Sequence, residues 1–207
     1  MVEPSPSPRL GRTYLPLLIS ALIIIPLDQL TKMLVVDHLT PVLQSASGFV
    51  AKIGAFYGTL GHPCRAAQCI ETSVIDGFWS FHYAENPGAA WSLLARAPDA
   101  LRAPFLITVS LFALGFILFY LRKVPANGGW VRIGLSLVFA GAVGNLIDRV
   151  RLGYVIDFIH WYAGDLHWPT FNVADSAIST GAVMLLLDAL RSREKKGTGE
   201  LARAPSS

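Results

Sequence analysis

The chain has 207 residues, with 17 Lys or Arg and 14 Asp or Glu, so only 15% are charged while 53% are hydrophobic. Soluble domains carry about 25% charged residues. This composition therefore excludes an ordinary soluble globule, and it is too apolar for a disordered chain. The net charge of +3 would suit nucleic acid only if the basic residues formed a patch.

Residues 1–8 (MVEPSPSP) read as a disordered tail. The first window long enough to span a bilayer, which takes about 20 mostly apolar residues, is Tyr14 to Val36. Arg9 and Arg12 before it imitate a signal peptide, but no small-x-small site follows and the apolar run continues past Lys32, so the span is expected to remain uncleaved. Residues 37–102 form a long external segment. Within it, 44–73 reads as an irregular insertion rich in glycine, and 74–94 has the alternating aromatic and β-branched look of short strands. Further spans are expected at Ala103 to Leu121, Trp130 to Val150 and Phe171 to Leu190, with a tight turn at 122–129. The string from Tyr154 to Ile159 reads as a strand or loop folding back at the outer surface. Residues 194–207 read as a second disordered tail.

Four spans place both termini on one side. That side holds Arg9, Arg12, Arg122, Lys123, Arg132, Arg191, Arg193, Lys195, Lys196 and Arg203. The longer opposite side holds only Lys52, Arg65, Arg96, Arg102 and Arg151. The positive-inside rule makes the first side cytoplasmic. The basic excess is thus a topology signal, and no nucleic-acid partner is expected. Cys64 and Cys69 lie in the external insertion, where a disulfide, two free thiols or, less favourably, a metal site fits the spacing.

Ionisable groups within spans are costly and are functional candidates. Asp28 follows Arg12, and Asp148 follows Arg132, by 16 residues; Asp175 precedes Arg191 by 16. Each therefore lies roughly 24 Å from the basic flank, at one depth near the outer face. Asp188 has Arg191 at i+3 and reads as a snorkelling pair near the cytoplasmic end. Asp28 has Lys32 at i+4, while Asp148 has Arg149 beside it and Arg151 at i+3, so both are expected to stay ionised in a supporting or substrate-orienting role. Asp157 and Asp175 have no Lys or Arg within four residues. Carboxyls in apolar surroundings that share a proton have divergent pKa values, which suits a general acid–base pair. Asp157 with Asp175 is the expected dyad; a proton relay in a transporter is the alternative that spacing alone leaves open.

Other chemistries fit less well. HExxH, GxSxG and Walker motifs are absent. His38, His62, His82, His160 and His167 are external and scattered without metal-ligand spacing, so no metal site is expected. Trp79, Trp91, Trp161 and Trp168 flank the outer interface, where an aromatic belt is expected. Asn145 and Asn172 each lie three residues before an aspartate, on the same helix face. Asn86-Pro87-Gly88-Ala89-Ala90 reads as a turn with small residues.

Taken together, the boxes Asp28-Gln29-x-x-Lys32, Asn86-x-Gly88-Ala89-Ala90-Trp91-Ser92, Gly141-Ala142-x-Gly144-Asn145-x-x-Asp148-Arg149, Val155-x-Asp157-Phe158 and Phe171-Asn172-x-Ala174-Asp175-Ser176 resemble the lipoprotein signal peptidases (signal peptidase II), bacterial membrane aspartyl proteases. The likeness covers about residues 14–190 and implies a mainly α membrane protein. Four transmembrane helices would carry a small external β-cradle and an external helical loop, in the bacterial inner membrane with the site near the periplasmic face. It implies an endopeptidase that removes signal peptides from prolipoproteins on the amino side of a diacylglyceryl-modified cysteine. The catalytic pair would be Asp157 and Asp175, supported by Asp28, Lys32, Asn86, Gly88, Asn145, Asp148, Arg149 and Asn172. No cofactor is implied, the partners are the lipidated precursor and membrane lipid, and a monomer is the expected state. Two departures stand out: Ala140 where glycine is common, and the long 44–73 insertion.

Overall fold

The computed structural model describes residues 10–58, 61–66, 69–88, 98–125 and 128–201. Four helices are long and apolar enough to cross a membrane: α1 (Leu10–Leu39), α4 (Asp99–Leu121), α5 (Gly129–Leu152) and α6 (Val173–Leu201). Between α1 and α4 lie two short helices, α2 (Phe49–Tyr57) and α3 (Pro63–Ala66), and strands β1 (Glu71–Ile75) and β2 (Trp79–Asn86). Between α5 and α6 lie β3 (Val155–Ala163) and β4 (Leu166–His167). The four expected spans are present. The chain is a multi-pass membrane protein.

The helices are inside out relative to a soluble bundle. On α1, Leu15, Leu18, Leu22, Ile23, Leu27, Leu30 and Leu34 face outward, while Asp28, Gln29, Lys32, Met33 and Val36 form the buried stripe at helical spacing. In lipid the outer face costs nothing, and polar groups are satisfied by turning inward. The central helix is α5, which packs against α1, α4 and α6. Small residues let it approach α6: a Cβ on Gly141 would lie 2.3 Å from the Ala174 carbonyl oxygen, and one on Gly181 would lie 2.5 Å from that of Gly134. Close approach at small residues is the usual way helices pack in membranes. Ala140, the departure from glycine, is fully buried beside this seam.

The sheet is antiparallel, in the order β1-β2-β3-β4. The strand expectation holds for β2 and β3, whereas β1 begins at Glu71, inside the segment expected to be irregular; β2 bulges between Phe81 and Ala84, where its register with β3 shifts. A bridge between Ile159 and Phe171 then ties the entry of α6 to β3.

Two expectations need correction. The 44–73 insertion is not irregular. Phe56 of α2 is fully buried in a cluster with Met33, Val36, Leu39, Leu43, Tyr83, Tyr154 and Ile156. Arg151 at the end of α5 donates to the Phe56 carbonyl and lies over the rings of Phe56 and Tyr57, with centroids 4.6 and 4.5 Å away. Lys52 pairs with Asp37 at 2.6 Å, and Cys64 and Cys69 are joined in a disulfide. The insertion thus carries its own apolar face and is clamped to the bundle. The second correction concerns the tail from 194, because α6 continues as helix to Leu201. The tail at 1–8 and the Ala89-Ala90-Trp91-Ser92 stretch lie outside the described residues.

The Gly141 contact makes a prediction. Gly141→Leu must push α5 from the α6 backbone, an overpacking cost of about 1–3 kcal/mol. Its unfolding temperature in detergent should fall well below that of Gly115→Leu, where a side chain would enter open space. Equal transitions would show that the seam is not tight.

Candidate active site

At the centre of the bundle an ammonium is buried between two carboxylates. Lys32 Nζ donates to Asp28 Oδ2 at 2.8 Å, lies 2.8 Å from Asp148 Oδ2, and reaches Asn145 Oδ1 at 3.3 Å. All three of its protons therefore have acceptors. The side chains of Lys32, Asp28 and Asp148 are wholly buried. Gln29 adds a cross-brace, with Nε2 at 3.0 Å from Asp148 Oδ1 and 3.3 Å from Asp28 Oδ2. The position of Gln29 between Asp28 and Lys32 in the motif is the sequence signal for this brace.

The two carboxylates hold backbone as well as charge. Asp28 Oδ1 accepts from the Ala174 amide at 2.9 Å, so α1 caps the start of α6. Asp148 Oδ2 accepts from the Ile156 amide at 3.2 Å, which fixes β3 beside α5. The cation expected for Asp148 was Arg151 or Arg149. Lys32 is the closer cation, at 2.8 Å, while Arg151 pairs with Asp148 Oδ1 at 3.8 Å and also donates to α2. The side chains of Asp28, Lys32 and Asp148 present no open surface.

Asn172 is the N-cap of α6. Its Oδ1 accepts from the Asp175 amide at 2.8 Å, and Asp175 Oδ2 faces the Asn172 amide at 3.4 Å. This reciprocal pairing has the logic of a capping box. It explains the Asn172-x-x-Asp175 spacing and sets Asp175 in the first helical turn. The Asn172 Nδ2 group is directed to Asp157 Oδ1 at 2.7 Å and Asn145 Oδ1 at 3.1 Å. Asn145 in turn donates from Nδ2 to Asp175 Oδ1 at 2.7 Å. The two asparagines therefore bridge Asp157 and Asp175 and link both to Lys32.

Asp157, on β3, receives one more bond. Asn86 Nδ2 donates to Asp157 Oδ2 at 2.9 Å, while Asn86 Oδ1 accepts the Gly88 amide at 2.9 Å. That second bond orients the Asn86 amide. Gly88 has φ +107°, which disfavours any side chain, and a Cβ there would meet Leu106. Burial first, and the neighbouring charge of Asp175 second, push the Asp157 carboxyl up to about 7, against the Asn86 and Asn172 hydrogen bonds and the charge of Lys32. Arg149 is half-buried, and Asp175 and Asp157 are its leading carboxylate neighbours, ahead of Asp148. Its Nε is buried without a hydrogen-bond partner among the described residues. A cation beside the dyad is thus supplied by the fold although none lies near in sequence.

All the sequence-predicted site residues that carry side-chain chemistry (Asp28, Lys32, Asn86, Asn145, Asp148, Arg149, Asp157, Asn172 and Asp175) converge here. Two carboxyls that share a network of amide donors, one of them with its proton held to about neutral pH, can activate water and stabilise a developing oxyanion. The histidines need a correction: they are not all scattered. His82, His160 and His167 meet on the sheet, away from this site.

The family described as Signal peptidase (SPase) II matches residues 20–191. The lipoprotein signal peptidase of Syntrophus aciditrophicus (strain SB) is 50% identical over 123 residues, 59% of this chain and 76% of that one. That of Anaeromyxobacter sp. (strain Fw109-5) is 41% identical over 173 residues, 79% of each chain. A bacterial membrane enzyme structure obtained by the in meso method at 1.9 Å resolution superposes with TM-score 0.58 at 26% identity, covering 87% of this chain and 94% of the other. A second, at 2.3 Å resolution, gives TM-score 0.64 at 24% identity, over 90% and 92%, a likeness of fold alone.

Removing the central ammonium tests the support. Lys32→Met leaves two buried carboxylates uncompensated, a loss of about 3–5 kcal/mol. The unfolding transition in detergent should drop strongly, and Lys32→Met with Asp28→Asn should recover part of the loss. No change on Lys32→Met would show that the triad does not hold the bundle.

Proposed function

This chain belongs to the signal peptidase II family, and on that premise we propose that it is an aspartic endopeptidase cleaving the signal peptide from lipidated prolipoproteins. The bond cut would lie on the amino side of the diacylglyceryl-modified cysteine. The observation that carries the reading is the pair Asp157 and Asp175, bridged by Asn145 and Asn172, with Asp157 pushed up to about 7 by burial and by its partner's charge. One shared proton on two carboxyls is the working state of an acid–base dyad.

In the proposed mechanism Asp157 holds the proton and Asp175 is the base. Asp175 takes a proton from a water held between them. The water attacks the scissile carbonyl, and Asp157 hydrogen-bonds the oxygen as charge develops. Collapse of the tetrahedral intermediate breaks the C–N bond, and a proton passes to the leaving amine. No covalent intermediate forms on the enzyme. Asn86 and Asn172 hold Asp157 in one rotamer, Asn145 does so for Asp175, and Arg149 offsets charge on the dyad. Both termini would be cytoplasmic, as the ten flanking basic residues favour, with the dyad toward the outer leaflet that carries the substrate's lipid.

Asp157→Asn and Asp175→Asn should each abolish cleavage of a diacylated precursor in a gel-shift assay while the protein stays inserted and folded. Near-normal processing by either variant removes that residue from the dyad. The pH dependence has a defined sign. Cleavage should fall as pH rises through about 7, where Asp157 loses its proton. The folded protein also keeps a proton that the unfolded chain releases near 3.8, so this carboxyl withdraws stability progressively as pH rises from 3.8 to about 7. Asp157→Asn should flatten that part of the curve of unfolding temperature against pH; an unchanged slope would assign the titration to another group.

A further inference from the structure

Glu71, His82 and His160 each offer a ligand atom, and these atoms lie within 4.8 Å of one another. Three separate strands bring them together. Glu71 of β1 is opposite His82 of β2, and Ser80 of β2 is opposite His160 of β3. The rings of His82 and His160 meet edge to face with centroids 4.7 Å apart. His160 turns Nδ1 toward Glu71 Oε1, 3.8 Å away, and sets Nε2 3.0 Å from His167 Nδ1. Asp157 lies three residues before His160 on a regular strand. By the two-residue alternation of a strand the two side chains leave opposite faces.

We propose that Glu71, His82 and His160 form a binding site for one divalent transition-metal ion of the zinc class, on the face of the sheet turned away from Asp157. Two imidazoles and one carboxylate are a donor set that suits zinc and leaves a fourth position for water. An ordered outer shell is already built. Ser80 Oγ donates to Glu71 Oε1 at 2.5 Å, Thr170 Oγ1 meets His82 Nε2 at 3.3 Å, and His167 takes the far nitrogen of His160. Such partners orient ligand rings and raise affinity. Zinc–ligand bonds are about 2.0–2.2 Å long, so a tetrahedral site needs donor atoms roughly 3.5 Å apart. Reaching that spacing from within 4.8 Å requires side-chain rotation when the ion binds.

The bound ion joins β1, β2 and β3 without entering the peptidase chemistry. It crosslinks the strand that carries Asp157 to the two strands beside it. The histidines at 82, 160 and 167 have no metal-ligand spacing in sequence because three strands from two different inter-helix segments supply them.

The experiment uses the full chain, without a histidine tag, purified in detergent and stripped with a chelator. Cobalt(II) alone is the probe, read by its visible absorption and by equilibrium dialysis. One ion per chain should bind with tetrahedral-type bands, and zinc(II) should displace it. Glu71→Gln, His82→Ala and His160→Ala should each weaken binding at least tenfold, while His62→Ala, elsewhere on the external surface, leaves it unchanged. The metal-free unfolding temperature of each variant checks that it folds, and Glu71→Gln, on the exposed edge strand, keeps the test open should a histidine variant fail. Saturating ion should raise the unfolding temperature of the unaltered chain and not that of the three variants. Absence of saturable binding, or binding unaffected by Glu71→Gln and His82→Ala, overturns the site.

Discussion

A single ammonium, Lys32 Nζ, holds the membrane bundle and its site in one arrangement. It lies between Asp28 and Asp148, 2.8 Å from an oxygen of each, and the three side chains are fully buried. Isolated, any one of these charges in the interior would cost several kcal/mol. Together they are acceptable only with every lone pair and proton engaged. Gln29, Asn145 and the amides of Ala174 and Ile156 provide those remaining bonds. The charge cluster is therefore a geometric lock. Through Asp28 it fixes the start of α6, and through Asp148 it fixes β3. These are the elements that carry Asp175 and Asp157.

The Asp157 and Asp175 pair depends on that lock in a second way. Asn145 accepts from Lys32 on one side and donates to Asp175 on the other. Asn172 caps α6 while it donates to Asp157. Each asparagine thus joins the packing of the bundle to an aspartate of the pair. Asn172 is a cap, whereas Asn145 lies inside α5 and reaches Asp175 across the helix seam. A cap places its side chain at the N-terminus of a helix, where amide groups already converge.

Outside the spans, the sheet and the insertion divide the labour differently. The insertion is held by Phe56 and by the Arg151 clamp, packing that joins α2 to the end of α5. Its helical pattern was obscured in the sequence by glycines at 48, 54, 58 and 61, which read as loop although two of them flank the helix. The sheet brings together residues from the two external segments, so Glu71 and His160 meet although 89 positions separate them. No local pattern announces such a meeting.

The sequence by itself determined the class, the four spans and the identity of the uncompensated carboxylates. Scarcity of charge in apolar surroundings makes each remaining charge informative, and period, length and flanking basic residues are local properties. Only the tertiary structure decided which cation answers which carboxylate. Lys32 is one turn from Asp28 in sequence, yet it also neutralises Asp148 on another helix. Arg151, near Asp148 in sequence, pairs with it at the longer distance of 3.8 Å and also clamps α2. Arg149 brings positive charge to a dyad that has none within four residues. Ion pairing follows distance in space and the cost of burial, and neither quantity is written in the spacing along one chain.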